Sequence, residues 1–488
     1  MFLKYSDYLD LISADLNPIR KIINDNNISF RDYLNSLDET AESSKSIFLL
    51  KFDSNGGDVK ILSECCKPGI PEHRANLVLK QLNRISKLAS FPDLCIGYEF
   101  DDIAPTTGII PIFSYRKRED SISTILVPDF ELYEFNYYSE TIYQDKFCFD
   151  DKLNRAIFVG STTGTNKRED RDYTNTIKNI DNDPSIRIEA AKFFNNSNVV
   201  FRLPNIVQCD TQETVDYLRT FDFTNPRRIG WQEQFSYKFI ISIDGNGPTI
   251  SRVAITLLSN SILIKYRSRW LAYYHRAMQP GIDYIDISDH EEILYYLDGN
   301  ALPKENLKEI SRNSSEKFSL LLQRSSVERY FATVLNEFRS IFFGADESYI
   351  YNRKKIDSVS HFDIDAHFSN IGDVSFWPSL NVYLNGAFIE GITIYPSSSL
   401  FKWHNISYQV MFKDGSVSSV AFGGTFCGSR GENKEIIGFR IRAISKELFS
   451  LDYEGEFEDG TVVSAHNGEW IANSHYRLIR ISFRIFVS

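Results

Sequence analysis

Two short runs of this 488-residue sequence carry the residue types that hold phosphates. In FVGSTTG (158–164) an apolar stretch ends in Gly160, Ser161, Thr162, Thr163 and Gly164, and Lys167, Arg168 and Arg171 follow. Small residues at a strand end let backbone amides approach a ligand closely. In IISIDGNGPTISR (240–252), Asp244 and Gly245 close a second strand, and Ser251 and Arg252 stand where a helix would begin. Orphan N–H groups at a helix start, with a fixed guanidinium beside them, suit a diphosphate. The better-known phosphate signatures do not match. Residues 160–167 lack the GK[ST] ending of a P-loop, and Ile250 stands where a dinucleotide fold needs its third glycine. The same runs also serve as ordinary strand-to-helix turns. A third cluster, HFDIDAHF (361–368), would project His361, Asp363, Asp365 and His367 from one face of a strand. Two imidazoles and two carboxylates suit zinc or manganese; the plainer reading is the polar face of a linker strand.

These residues need elements to position them. Residues 1 to about 90 show helical spacing, as in SDYLDLISADLNPIRKIINDN and HRANLVLKQLNRISKLA. From about 92 the pattern changes to short apolar runs (DLCIGYEF, RAIFVG, SNVVFRL, KFIISIDG, NSILIKY) alternating with helical ones. Such strands imply parallel sheets covered on both faces. Residues 304–343 return to helix. From about 372 alternation dominates, with the hairpin dipeptides NG (385–386), DG (414–415), DG (459–460) and NG (467–468). FKDGSV (412–417) recurs as FEDGTV (457–462), and GFRI (438–441) is echoed by SFRI (482–485), which points to an all-β domain of two related units.

Composition narrows the function. The length suggests ~3 domains. A net charge of −11 argues against nucleic-acid partners, which require a basic field, yet leaves room for one local basic pocket. The six cysteines form no CxxC, the first residues are interrupted by charges as no signal peptide is, and no apolar window reaches 18 residues. A reduced, cytoplasmic protein is the expectation.

The segment 233–288 resembles the signature region of glycosyltransferase family 90, which includes protein O-glucosyltransferases, capsule-associated xylosyltransferases and lipopolysaccharide-modifying enzymes. The resemblance rests on Tyr237-Lys238, Asp244-Gly245, Ser251-Arg252, Ser261, Trp270, Tyr273-Tyr274, Pro280 and Tyr284. Upstream, AIFVGSTTG is similar to the family's F-x-G-S-x-T block. FPDLCIGYEFDDIAP and IIPIFSYRK are similar to its PD…RDxP and PVFSxxK blocks, the latter containing Ser114. Four blocks in the family's order cover 91–288.

The resemblance implies an α/β, GT-B-like fold of two Rossmann-like lobes around a cleft. It also implies an inverting, metal-independent transfer from a UDP-sugar, with no cofactor. The family's general base falls on Asp102, and a one-residue slip would exchange it with Asp101. Arg171 and Arg252 would hold the diphosphate, supported by Ser161, Thr162 and Thr163. Trp270 and Asp283, the latter in place of the family's histidine, would touch donor sugar or acceptor. The tail 406–441 resembles the clostridial hydrophobic-W repeat. The expected organisation is an acceptor-side lobe (1–150), a nucleotide-sugar lobe (151–303), helices (304–345), a linker (346–371) and an all-β domain (372–488). Glucose or xylose would pass to a bacterial surface-glycan acceptor, with at most transient contact with membrane-bound glycolipid. The alternatives are a non-catalytic glycan-binding protein and a metal enzyme built on the 361–367 cluster.

Overall fold

The apolar runs between 47 and 287 form two five-stranded sheets in the computed structural model of the chain. It describes residues 5–43, 46–53, 58–62, 70–100, 109–165, 173–195, 197–299, 301–357, 362–376, 380–381, 387–396, 406–444 and 449–487. The strands are β1 (Ile47–Phe52), β2 (Val59–Ile61), β3 (Cys95–Glu99), β4 (Ile112–Ser114), β5 (Lys117–Arg118), β6 (Thr124–Leu126), β7 (Leu153–Ser161), β8 (Val199–Asn205), β9 (Tyr237–Ser242), β10 (Ile262–Tyr266), β11 (Trp270–Leu271) and β12 (Ile285–Ile287).

The second sheet, in the order β12-β10-β9-β7-β8, is parallel throughout. Its strands read as continuous apolar runs because both faces are covered. Phe239, Ile241, Ile262 and Ile264 enter one core while Ile240 and Leu263, between them, enter the other. The order reverses between β7 and β9, and ligands of such sheets bind outside the carboxyl ends at that point. The first sheet runs β2-β1-β3-β4-β6, with β3, β4 and β6 parallel and β1 antiparallel to both neighbours.

A short antiparallel pair, β5 with β11, ties the two sheets' segments together. A buried ion cluster reinforces the tie. Asp15, from helix Tyr5–Asp25, accepts from Lys117 Nζ (2.7 Å), Arg276 Nη2 (2.5 Å) and the Leu126 amide (3.0 Å). Helix Arg324–Phe343 is buried along most of its length and packs on Tyr5–Asp25, where Tyr5 donates to Glu337 Oε1 at 2.8 Å.

After Asp357 every described element is a strand: β13 (Phe362–Phe368), β14 (Gly372–Phe376), β15 (Leu380–Asn381), β16 (Ile389–Pro396), β17 (Ile406–Phe412), β18 (Ala421–Phe422), β19 (Cys427–Gly428), β20 (Ile436–Ala443), β21 (Phe449–Phe457), β22 (Val462–His466), β23 (Ile471–Ala472) and β24 (Leu478–Val487). They fall into three successive quartets, where the repeated motifs point to two. The three sheets are β14-β13-β16-β19, β18-β17-β20-β23 and β22-β21-β24-β15. Each takes its third-strand partner from another quartet, so the exchange is cyclic. The first quartet has no DG dipeptide to mark its turn. Asn370 and Gly372 (φ 63° and 89°) take the left-handed conformation there, as Gly415 and Gly460 do in the other two. β13 falls in the expected linker, yet its Ile364, Ala366 and Phe368 belong to the core of these sheets.

Asp365, on the opposite face of β13, anchors this unit to the helices. Arg84 Nη1 (3.1 Å) and Arg324 Nη2 (3.2 Å) donate to its carboxylate, and Arg84 Nε also reaches Glu328 at 3.0 Å. Burial raises the Glu328 carboxyl to about 7, against the opposing pull of Arg324 and Gln81. A raised acid binds its proton more tightly in the folded chain. Its contribution to stability is therefore complete below the ordinary value of 4.5 and is lost as pH rises to about 7. The thermal midpoint should fall over that window, and a Glu328→Gln variant, melted across the same buffers, should lose that part of the slope. An unchanged slope would contradict the assignment.

Candidate active site

A cavity of about 590 Å³ lies between the carboxyl ends of the parallel strands of both sheets. Alternation at the end of β7 decides which side chains reach it. Thr162 turns inward and exchanges two 2.8 Å hydrogen bonds with the Val207 backbone. Ser161 and Thr163 therefore line the cavity, their hydroxyls 2.8 Å apart.

Two arginines meet behind this turn. Arg187 follows Ser185, the N-cap of helix Ile186–Phe193. It donates to Ile243 O (2.8 Å) and Thr163 Oγ1 (2.7 Å). Arg252, in helix Ser251–Leu257, donates to Gln234 Oε1 at 3.1 Å and to the carbonyl of Val159. Both guanidiniums lie over the Phe158 ring, at 5.4 and 4.8 Å. Burial lowers Arg187 to about 10, opposed by Asp244, and lowers Arg252 to about 9, with Arg187's charge adding to the effect. Among the described residues no carboxylate forms an ion pair with either. Two buried, mutually repelling cations with no directly paired carboxylate make a site for an anion.

The loop after β9 closes over them. A Cβ on Gly245 would crowd Thr163 Oγ1 (3.0 Å) and Arg187 Nη2 (3.1 Å), and one on Gly247 would strike Arg116. Asp244 Oδ1 braces the loop by accepting the Thr249 amide at 3.0 Å. Burial opposes its charge, but Lys265 and hydrogen bonds from Ser268 and Thr249 hold its pKa below the ordinary value. From the opposite wall come Arg74, Arg116, Asp129 and Glu131. Asp129 caps helix Phe130–Glu134 through the Leu132 amide (3.0 Å). Burial pushes both carboxyls up, and hydrogen bonds from Ser251 oppose the rise at Glu131.

Gly160, Ser161, Thr163, Gly245, Ser251 and Arg252 thus line one cavity, as their spacing suggests. Thr162 and Asp244 support it from behind, and Gly164 takes the positive φ of 137° that the turn requires. Ser114 is fully buried and stands outside the lining. Asp283 lines neither this cavity nor its neighbour. It is 1% exposed, bound by the Gln279 amide (2.8 Å) and Lys317 Nζ (2.6 Å), and so fixes a turn. Trp270 lines a neighbouring cavity. Asp101, Asp102 and Arg171 lie outside the described residues, as do His361 and the side chain of Asp363. Of the remaining metal candidates, Asp365 is paired with two arginines and His367 Nδ1 with Asp373 at 2.8 Å. Among the described residues no group of three or more His, Cys, Asp or Glu is arranged to hold a metal.

Arg187, Arg116 and Arg74 were not singled out from the sequence. The signal for Arg187 was the Ser185-Ile186-Arg187 helix start, a near copy of Ser251-Arg252.

The family model described as Glycosyl transferase family 90 matches residues 99–344, about half the chain, and includes both arginines and every wall of the cavity except Arg74. The chain belongs to glycosyltransferase family 90. A comparison with curated proteins finds no match. No helix among the described residues is long and apolar enough to cross a membrane.

Proposed function

We propose that the chain is an inverting, metal-independent transferase of GT-B-like architecture. It moves glucose or xylose from a UDP-sugar to a hydroxyl of a bacterial surface-glycan acceptor, forming a β-linkage. The observation that carries this reading is the Arg187–Arg252 pair at the strand-order reversal of the parallel sheet. In an inverting transfer the acceptor oxygen attacks the anomeric carbon as the bond to the diphosphate breaks, and the diphosphate leaves with an added negative charge. Two pre-oriented guanidiniums stabilise that charge where it develops, the part a metal plays in other transferases. Amides and hydroxyls of Gly160–Thr163 and of the Gly245–Gly247 loop complete the cradle. The acceptor's proton passes to a carboxylate, and the family resemblance assigns this base to Asp102. Soluble action on a lipid-linked acceptor at the cytoplasmic face fits the same reading.

The test is release of UDP from UDP-glucose, UDP-xylose and related donors, with and without EDTA, beside an Asp102→Asn variant. Turnover that survives EDTA and falls by ~10²-fold or more with Asp102→Asn is expected. Turnover abolished by EDTA would support a metal enzyme instead, and nucleotide binding without turnover in any donor a glycan-binding role.

A further inference from the structure

The two walls of the cavity carry charge of the same sign. Opposite the Arg187–Arg252 pair stands a second pair, Arg74 and Arg116, built around two aromatic rings. Arg74, in helix Ile70–Leu88, lies over the Phe130 ring at 4.6 Å. Its Nη1 donates to Phe100 O at 2.8 Å and to the Tyr115 hydroxyl at 3.4 Å. Arg116, 1% exposed, lies over the ring of Tyr115 at 5.4 Å. A Cβ on Gly247 would strike its Nη1, so Arg116 reaches across to the loop after β9. The contacts of Arg74 are with its own wall. It also precedes the residues that the family model matches, so the family resemblance assigns it no role.

The carboxyls of this wall do not cancel the added charge. Asp129 is 1% exposed, and burial, with the charge of Glu131 adding to it, raises its carboxyl to about 8. It therefore carries a proton at neutral pH. Oδ1 accepts the Leu132 amide at 3.0 Å, while the buried Oδ2 has no hydrogen-bond partner among the described residues. A protonated oxygen there is a donor that is unfavourable until something accepts from it. Burial raises the Glu131 carboxyl as well. The neighbouring cavity supplies no surplus of acid, since Lys265, Arg267 and Arg269 line it with Glu119 and Asp286, and Arg267 already holds Asp286 at 2.6 Å. In a chain of net charge −11, this cleft is a local concentration of cations.

A donor diphosphate answers Arg187 and Arg252. A neutral acceptor would leave the second pair facing a protonated carboxyl and no anion. A phosphate or carboxylate oxygen matches the guanidinium forks and accepts from Asp129 Oδ2 as well. We propose that Arg74, Arg116 and Asp129 form an oxyanion subsite that selects an acceptor sugar bearing a phosphate or a carboxylate. The inference rests on the reading of this cavity as the donor site and adds the charge of the acceptor to it.

The experiment is a saturation-transfer NMR titration of the full chain, held in saturating UDP, with methyl glucoside, methyl glucuronoside and glucose 6-phosphate. At least one of the two charged sugars should bind about ten-fold or more tighter than methyl glucoside, and the stronger of the two identifies the oxyanion. Arg74→Gln should erase that preference while UDP affinity stays within about three-fold of wild type, and Arg74→Lys, which keeps the charge without the fork, should keep part of it. If UDP binds and the three sugars bind alike or not at all, the subsite is overturned. If UDP displaces the charged sugar, or Arg74→Gln weakens UDP as much as it weakens the sugar, the second pair serves the donor and the subsite is likewise overturned. Failure of UDP to bind the wild-type protein would sink the donor reading, and this inference with it.

Discussion

Arg187→Ala will reduce turnover of the nucleotide-sugar donor by ~10²–10³-fold, the usual loss when one pre-oriented stabiliser of transition-state charge is removed. Arg187 acts twice. Its charge lies in the cavity with that of Arg252, and its donors hold Ile243 O and Thr163 Oγ1, which set the ends of β9 and β7. Arg187→Lys keeps the charge but loses the planar fork, so it should recover only part of the loss. The defect should appear in kcat more than in the melting temperature, because removing one of two repelling buried cations relieves strain in the empty protein. Initial rates of UDP release, with a thermal melt of each variant, check this. Turnover within three-fold of wild type would remove Arg187 from the mechanism.

The largest stability effect is expected at Asp15. Its carboxylate answers Lys117, Arg276 and the Leu126 amide at once, and it is 1% exposed. Breaking a buried ion cluster from one side leaves its cations uncompensated, at a cost of ~3–5 kcal/mol. Burial already lowers the Lys117 pKa, and Asp15 is the main force opposing it. Asp15→Ala should lower the urea midpoint by an amount matching that cost. Asp15→Asn, which keeps an acceptor for the Leu126 amide, should fall between. The loss should also loosen the β5–β11 tie that joins the two sheets' segments across the cleft. A midpoint unchanged within error would mean that the three contacts contribute nothing net.

The parallel sheet and the two turns that line its cavity were legible in the sequence. Doubly covered strands are nearly all apolar, and a glycine-rich turn at such a strand's end leaves a composition signature. β1 and β2 were not, because IFLLKF is too short to distinguish from a buried helical turn between two amphipathic helices. Thr162 shows a second limit: composition marks the turn, but only the alternation of the strand decides that Ser161 and Thr163, not Thr162, face the cavity. Asp283 shows a third. A polar residue in a family motif invites a functional reading, yet Lys317, 34 positions away in sequence, holds it in a turn. The first strand quartet was not legible because its turn uses Asn370 and Gly372 in place of an Asp-Gly pair.

Isothermal titration of UDP, UMP and uridine into the full chain, each with and without EDTA, tests the central claim most directly. The Arg187–Arg252 site should bind UDP more tightly than UMP and UMP more tightly than uridine. That order should persist in EDTA and be lost in Arg187→Ala. Equal affinity for the three, or UDP binding that vanishes with EDTA, would contradict a metal-free diphosphate site.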